Sequence, residues 1–93
     1  MIVSVRDKRL AVIMAGVVPA RFPPDLVRRT QRAIRALEKA ESLEDLRIPP
    51  ANHLEALRGD REGQWSIRIN LQWRVCFVWT GRAFADVEIT DYH

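Results

Sequence analysis

The stretch that decides the fold is residues 64–91, QWSIRINLQWRVCFVWTGRAFADVEITD, because its apolar and polar side chains alternate. A period of two is typical of β-strands that bury one face of a sheet. The alternation predicts three strands, over residues 64–70, 73–79 and 83–91. Since the turns between them are short, the strands are predicted to form an antiparallel meander.

Strand parity divides the side chains of this block between two faces. The face predicted to be apolar carries Trp65, Ile67, Ile69, Trp73, Val75, Phe77, Trp79, Ala85, Val87 and Ile89. The face predicted to be polar carries Ser66, Arg68, Asn70, Arg74, Cys76, Val78, Phe84, Asp86, Glu88 and Thr90. If the apolar face meets helices, the guanidinium groups of Arg68 and Arg74 emerge on the open face. The alternative is that the two arginines pair with Asp86 and Glu88 across strands, and we expect one of the two to do so.

Residues 53–63 extend this β-rich half upstream. A short strand is predicted over residues 53–57, followed by a polar turn with two glycines. Because strand parity has a period of two, we expect the side chains of His53 and Glu55 on the same side. Arg58 stands immediately before the first glycine of the turn.

The N-terminal half of the chain changes to a period of 3.6, which predicts helices. Phe22-Pro23-Pro24-Asp25 is typical of a helix start, since Pro24 fits the first turn and Asp25 complements the positive end of the helix dipole. This helix is predicted over residues 24–40. The other predicted elements are a strand over residues 1–5, a helix over residues 7–15 and a turn over residues 44–46.

Together these elements predict an α+β fold, with two N-terminal helices packed on one face of a curved antiparallel sheet. Ninety-three residues suffice for one domain, residues 1–93, with one modest core. The single cysteine, Cys76, excludes an internal disulfide framework and a multi-cysteine metal site, and it indicates a reducing cytoplasm. The apolar run at residues 10–20 has helical spacing and is too short to span a bilayer, so no membrane association is expected.

Positive charge is concentrated in the first part of the chain. Thirteen of the 15 basic residues are arginine, the side chain that grips phosphate in a bidentate way. Residues 1–40 hold 9 basic and 3 acidic side chains, whereas residues 41–93 hold 6 and 9. One face of the predicted helix carries a basic stripe of Arg28, Arg32, Arg35 and Lys39. Such a face fits a polyanion such as nucleic acid, or it is simply solvated.

Motifs for metal and nucleotide chemistry do not occur in the sequence. It has no Gly-rich phosphate loop, no HExxH and no paired-cysteine motif, so no metal and no cofactor are expected. From the residues alone, we expect His53 to be structural. The C-terminal Asp91-Tyr92-His93 is a compact acid–base set whose imidazole titrates near neutrality. The alternative is that this chain end frays.

Three sequence blocks in a fixed order carry a family resemblance. They are LRGDREGQWSI at residues 57–67, NLQWRVCF at residues 70–77 and DVEITDYH at residues 86–93. These blocks resemble the HigB toxins of bacterial type II toxin–antitoxin systems, which belong to the RelE/ParE superfamily. The likeness extends to residues 2–8, to the Pro23-Pro24 helix start and to residues 42–46.

The resemblance implies a small toxin that enters the ribosomal A site and cuts mRNA there without a metal. In such enzymes the ribose 2′-OH attacks the adjacent phosphate and leaves a 2′,3′-cyclic phosphate and a 5′-OH end. The resemblance also implies a HigA-like antitoxin with a helix-turn-helix domain, through which alone the toxin would meet operator DNA.

Roles for individual residues follow from the same resemblance. It implies acid–base work for His93 and Asp91, substrate stacking or orientation by Tyr92, and phosphate stabilisation by Arg74. Arg58 stands where relatives commonly have a lysine. We also expect Arg68 and the basic stripe to contact RNA.

The identity of the general base stays open. Many relatives have a histidine at the position that Glu55 occupies here, and His53 lies two residues earlier. Glu55 would serve if burial raised its pKa, whereas His53 would need no shift.

Other functions also stay open. One alternative is a ParE-like toxin that inhibits DNA gyrase by binding, and another is a catalytically inactive partner and co-repressor for the antitoxin. The basic stripe would dock on ribosomal RNA or receive an acidic antitoxin, and we favour ribosomal RNA. The apolar run at residues 10–20 indicates a wider antitoxin-binding surface or looser packing.

Overall fold

Two α-helices precede a four-stranded antiparallel sheet in the computed structural model, which describes residues 1–91. The helices are α1 (Lys8–Met14) and α2 (Pro24–Lys39), and the strands are β1 (Glu55–Ala56), β2 (Trp65–Arg68), β3 (Trp73–Trp79) and β4 (Phe84–Asp91). The strands lie in the order β1-β2-β3-β4, each antiparallel to its neighbour. This confirms the predicted α+β class with helices followed by a meander.

Both helices begin where the sequence predicts. The carboxylate of Asp7 caps α1 by accepting a hydrogen bond from the backbone N–H of Arg9 (2.9 Å). Pro24 opens α2 at a position where its missing N–H costs no hydrogen bond, and Asp25 lies in the first turn. The side chains that the helices bury are Leu10, Ile13, Leu26, Val27, Thr30, Ala33, Ile34 and Leu37.

The core lies between these helices and one face of the sheet, which we call the helix-side face. Ile67, Val75 and Phe77 are almost completely buried there, and three tryptophans pack at its margins. The opposite face carries Ser66, Arg68, Arg74, Cys76, Glu88 and Thr90, and we call it the polar face. None of the helices within residues 1–91 is long and apolar enough to cross a membrane.

A β-bulge in β4 overturns the predicted parity of Phe84 and Ala85. Val78 lies opposite Ala85 but Cys76 lies opposite Glu88, so β4 has one residue more than β3 in this interval. Asp86 takes up the extra residue with a left-handed φ of 52°. Phe84 therefore turns to the helix-side face, where it is fully buried and its ring centroid lies 5.1 Å from that of Phe77.

The predicted strand over residues 1–5 is present only as two isolated parallel bridges to β4, Ile2 to Phe84 and Val5 to Val87. Between the bridges, the hydroxyl of Ser4 accepts a hydrogen bond from the backbone N–H of Asp86 (2.8 Å). The bulge interrupts the regular backbone hydrogen bonding along β4. The hydroxyl of Ser4 therefore accepts a hydrogen bond that a backbone carbonyl would accept in a regular strand pair.

The predicted strand over residues 53–57 is shortened to Glu55–Ala56. A 3₁₀ turn at Pro50–Asn52 precedes it, and His53 ends that turn in the left-handed conformation with φ 46°. The predicted turn over residues 44–46 is a 3₁₀ helix, Leu43–Arg47. There the carboxylate of Asp45 accepts hydrogen bonds from the backbone N–H groups of Glu41 and Ser42.

Candidate functional site

Arg74 is a buried cation on the polar face of β3, with only 8% of the residue exposed. Its Nε donates a hydrogen bond to the hydroxyl of Ser66 on β2 (2.7 Å), and its Nη2 donates to the backbone carbonyl of His53. The prediction that this guanidinium emerges into solvent is therefore wrong. The left-handed turn at His53 places the backbone carbonyl of His53 over β3, where it covers the guanidinium group of Arg74.

Within residues 1–91, the hydrogen-bond partners of Arg74 do not compensate its positive charge. A hydroxyl and a carbonyl satisfy two of its N–H donors but carry no net charge. Arg68 lies directly opposite Arg74 in the β2–β3 pairing and so shares the polar face. Like charges directly opposite each other destabilise a sheet. Two guanidinium groups at adjoining positions thus create a local positive potential that an anion would relieve.

Neither arginine pairs with a β4 carboxylate. The expected partner Glu88 forms its ion pair with Arg61, and both side chains are partly buried. Asp86 lies in the bulge, where its backbone contacts Ser4. The predicted pairing of Arg68 or Arg74 with Asp86 or Glu88 is therefore wrong, because a residue outside the strands reaches across the polar face.

Glu55 and Arg58 lie together beside this ion pair. They line a cleft of about 530 Å³ with Ala56, Leu57 and Arg61. Both side chains are exposed, and the backbone of Arg58 begins the 3₁₀ turn Gly59–Arg61. The cleft thus brings a carboxylate and a second cation to the edge of the sheet.

His53 lines a different cleft from Glu55. Its groove lies between α2, the turn at residues 49–53 and the β2–β3 turn, and Arg29, Arg32 and Arg68 also line it. The prediction that strand parity places His53 and Glu55 on the same side is wrong, because β1 is too short to include His53. The two candidate bases approach the arginine pair from different clefts.

Asp91 is the part of the predicted C-terminal acid–base set that the structure describes. It lies opposite Trp73, whereas Thr90 lies opposite Arg74, so Asp91 belongs to the helix-side face. Its carboxylate accepts a hydrogen bond from the side-chain amide of Gln72 (3.1 Å). Tyr92 and His93, the other two members of the set, lie outside the described residues.

The basic stripe occupies an exposed face of α2, as its spacing predicts. Arg28 forms an ion pair with Asp25 (3.3 Å), and within residues 1–91 the other three stripe residues form none. Arg32 borders the groove that contains His53. Arg35 borders a cavity on the other side of the helix. The stripe therefore lies on a ridge between two cavities and not within a single concave site.

Comparison with known proteins identifies the family. The sequence profile of RelE-like toxins of the type II toxin–antitoxin system HigB matches residues 6–93. The chain belongs to this family. The resemblance inferred from the three sequence blocks is confirmed, and membership of a toxin–antitoxin family implies an antitoxin partner.

Individual HigB relatives agree with this assignment, and a solved structure shares the fold. Toxin HigB-1 of Vibrio cholerae serotype O1 is 38% identical over 73 residues, which are 78% of this chain and 67% of the relative. Endoribonuclease HigB of Proteus vulgaris is 30% identical over 93 residues, the full length of both chains. A YoeB/ParE toxin from Agrobacterium tumefaciens superposes with a TM-score of 0.55 and 18% identity, covering 99% of this chain and 96% of that one. This last similarity shows the RelE-like fold.

Two residues of the candidate site were missed by sequence reasoning. Ser66, which is fully buried, holds Arg74, and Arg61 pairs with Glu88 across the polar face. Ser66 could have been found from parity, since it shares the face of Arg68 and the β2–β3 register places it next to Arg74. The sequence carries no signal for the contact of Arg61, because that contact depends on the path of the turn.

Proposed function

We propose that this HigB-family toxin is a ribosome-dependent endoribonuclease that cleaves mRNA in the ribosomal A site without a metal and so arrests translation and growth. The observation that carries the proposal is the buried guanidinium of Arg74 beside Arg68, held by neutral acceptors. A charge kept unpaired inside a protein is costly, which supports its use toward an anion. The relative from Proteus vulgaris is named an endoribonuclease, which supports RNA as that anion.

The proposed chemistry is attack of a ribose 2′-OH on the adjacent phosphate. The reaction needs a base for the hydroxyl, positive charge near the phosphorane oxygens and an acid for the leaving 5′-oxygen. Arg74 supplies the positive charge from a fixed position, and Arg58 adds a second cation from the neighbouring cleft. His53 or Glu55 takes the proton from the 2′-OH.

The C-terminal residues complete the proposed mechanism. His93 donates a proton to the leaving oxygen, and Tyr92 stacks on or orients the substrate. Asp91 belongs to the helix-side face, so we assign it a positioning role. Its hydrogen bond with Gln72 ties the end of β4 to the β2–β3 turn.

The partners in this proposal are a HigA-like antitoxin, the 70S ribosome and mRNA. The chain acts in the cytoplasm as one domain over residues 1–93. It meets operator DNA only through the helix-turn-helix domain of the antitoxin. The basic stripe docks on ribosomal RNA.

The test is to map mRNA ends in cells and on purified ribosomes with wild-type protein, His93→Ala and Arg74→Ala. We expect the wild type to produce 5′-OH ends within translated frames only when ribosomes are present. Each variant should lose roughly 100-fold or more in cleavage, because an acid–base group or a charge stabiliser is removed. Arg82→Ala, on the exposed β3–β4 turn, is the control and should cleave like the wild type.

Other outcomes would contradict the proposal. Full cleavage by His93→Ala would show that His93 is not the general acid. A DNA-damage response with intact transcripts would favour a gyrase inhibitor, and harmless expression without antitoxin would favour an inactive co-repressor. Circular dichroism of each variant separates loss of chemistry from loss of the fold.

A further inference from the structure

The groove between α2 and the β2–β3 turn is a concave surface with no role in the mechanism above beyond one candidate base. Its volume is about 740 Å³, within the ~300–1,000 Å³ range that ligand pockets occupy. Its floor includes Ala33, Ala36 and Ile69, and Arg29, Arg32 and Arg68 stand around it. The groove thus combines an apolar floor with a cationic rim.

The charges of this groove are only partly compensated. Among the described residues, Asp25 is the one acidic residue on its rim, and its carboxylate pairs with Arg29 (3.0 Å). Within residues 1–91, Arg32 and Arg68 form no ion pair with any carboxylate. Two cations therefore remain available to an incoming anion.

The groove adjoins the buried Arg74 through two residues. His53 contributes its backbone carbonyl to Arg74 and also lines the groove. Arg68 is the cross-strand neighbour of Arg74 and lines the same groove. An RNA strand with one phosphate at Arg74 can therefore place its neighbouring phosphate beside the cations of the groove.

We infer that this groove is a subsite for the single-stranded RNA that flanks the scissile phosphate, with Arg32 and Arg68 binding a neighbouring phosphate and the apolar floor receiving a ribose or base. The inference rests on the proposed function and adds the path of the substrate. It also assigns Arg32 to the substrate groove and leaves Arg35 and Lys39 on the outer ridge.

An RNA strand fits this groove better than an acidic protein segment does. Because the groove adjoins Arg74, a ligand that occupies both must present anionic groups in succession, and every nucleotide of RNA supplies one. The backbone of the β2–β3 turn is already held, because the Asn70 side chain accepts hydrogen bonds from the N–H groups of Gln72 and Trp73 (2.8 Å each). A turn that is already ordered loses little entropy when a ligand binds beside it.

The test measures binding of two RNA probes to the purified chain at several salt concentrations. One probe is a single-stranded hexanucleotide and the other a dinucleotide, and both carry 2′-O-methyl groups that block cleavage. Arg32→Ala should weaken hexanucleotide binding by roughly fivefold, the upper end for an exposed ion pair. It should also reduce the salt dependence of log Kd by about 0.7, the value for one phosphate contact on a single strand.

The dinucleotide has a single phosphate and separates the subsite from the cleavage centre. Its binding should be unchanged in Arg32→Ala, because that phosphate occupies Arg74. Arg68→Ala should weaken the hexanucleotide similarly, and Arg32→Lys should restore the salt dependence. Arg82→Ala is the matched control for loss of one surface arginine and should bind both probes like the wild type.

Several results would overturn the subsite. They are absence of hexanucleotide binding by the wild type at low salt, unchanged hexanucleotide binding in both arginine variants, and failure of Arg32→Lys to restore the salt dependence. Unchanged hexanucleotide binding with loss of the antitoxin complex or of ribosome association would assign the groove to those partners. Cleavage of mRNA by the wild type is scored separately, so the endoribonuclease proposal can survive each of these results.

Discussion

Arg74 shows at the scale of one residue how a fold can hold a buried charge without neutralising it. Burial of an unpaired charge costs several kcal/mol unless hydrogen bonds satisfy it. Ser66 and the carbonyl of His53 supply such bonds without neutralising the guanidinium. The geometry thus gives Arg74 a fixed direction, and Ser66 is the positioning residue that sets it.

Ser66→Ala tests this positioning role. The substitution leaves the Nε–H of Arg74 without its acceptor, which we expect to cost about 1–3 kcal/mol of unfolding free energy. Cleavage should fall in kcat with little change in KM, and the loss should not add to that of Arg74→Lys in a double-mutant cycle. Ser4→Ala removes a hydroxyl acceptor that bonds the backbone of Asp86 in the bulge and makes no contact with Arg74, and it should retain cleavage. Equal losses of cleavage in both serine variants would contradict a specific role for Ser66.

Asp7 is a second residue whose charge has a definite structural role. Burial alone would raise the pKa of its carboxyl group, but hydrogen bonds from Arg9, the charge of Arg9 and a hydrogen bond from the backbone of Ile89 together lower that pKa. The same carboxylate caps α1 and contacts β4, and the guanidinium of Arg9 lies 5.6 Å from the centre of the Trp73 ring. Asp7 therefore joins the start of the helix to the edge of the sheet.

The lowered pKa of Asp7 predicts a pH dependence of stability. Since the folded pKa lies below the unfolded value of about 4, the contribution is complete above that value and disappears as the pH falls through the folded pKa. Asp7→Asn keeps a helix-capping side chain but not the charge. The unfolding free energy, measured by urea titration, should differ between wild type and variant at pH 7 and converge in acid. A difference that stays constant with pH would contradict this assignment.

The bulge in β4 matters at the scale of secondary-structure elements. It admits one extra residue and sends Phe84 into the core, where its ring lies 4.8 Å from that of Trp79. Downstream of the bulge, Val87 and Ile89 keep the inward direction that parity predicts. One bulge therefore lets two apolar patterns of opposite parity share a single core.

Phe84→Ala distinguishes this arrangement from an unbroken strand. Removal of a fully buried phenylalanine should cost about 3–5 kcal/mol of unfolding free energy, because it leaves a cavity in the core. Leu71→Ala is the control, since Leu71 is 91% exposed and a surface change should stay within about 0.5 kcal/mol. Similar small effects of both substitutions in urea unfolding would place Phe84 on the outside of the sheet.

The charge distribution belongs to the whole molecule. The ridge of α2 presents Arg35 and Lys39 to solvent, and neither side chain lines the substrate groove. Long-range attraction from such a ridge raises the rate of encounter with a polyanion and weakens with added salt. This is the behaviour expected of a docking surface for ribosomal RNA.

The double charge reversal Arg35→Glu and Lys39→Glu tests the docking surface. Ribosome association, measured by sedimentation at several salt concentrations, should weaken and lose about 0.7–0.9 in the salt dependence of log Kd per phosphate contact removed. Arg82→Glu changes one surface charge elsewhere and should have a smaller effect. If ribosome association persisted while the antitoxin complex dissociated, the ridge would instead be an antitoxin-binding surface.

Much of the architecture could be predicted because its causes are local. The start of α2 follows from Pro24 and Asp25, and the two central strands follow from alternation that no bulge interrupts. β1 and residues 1–5 were predicted too long, since their pairing depends on partners elsewhere in the chain. Among the candidate site residues, strand parity correctly placed Arg68 and Arg74 on one face of the sheet.

The sequence by itself determined the order of helices and strands, the family and the face on which the arginine pair lies. Only the tertiary structure decided that Arg74 is buried, that His53 and Glu55 line separate clefts and that Phe84 points inward. The physical reason is separation along the chain. Arg74 meets His53 across 21 residues and Arg61 meets Glu88 across 27. Such contacts depend on how turns and a bulge route the backbone, which local periodicity does not encode.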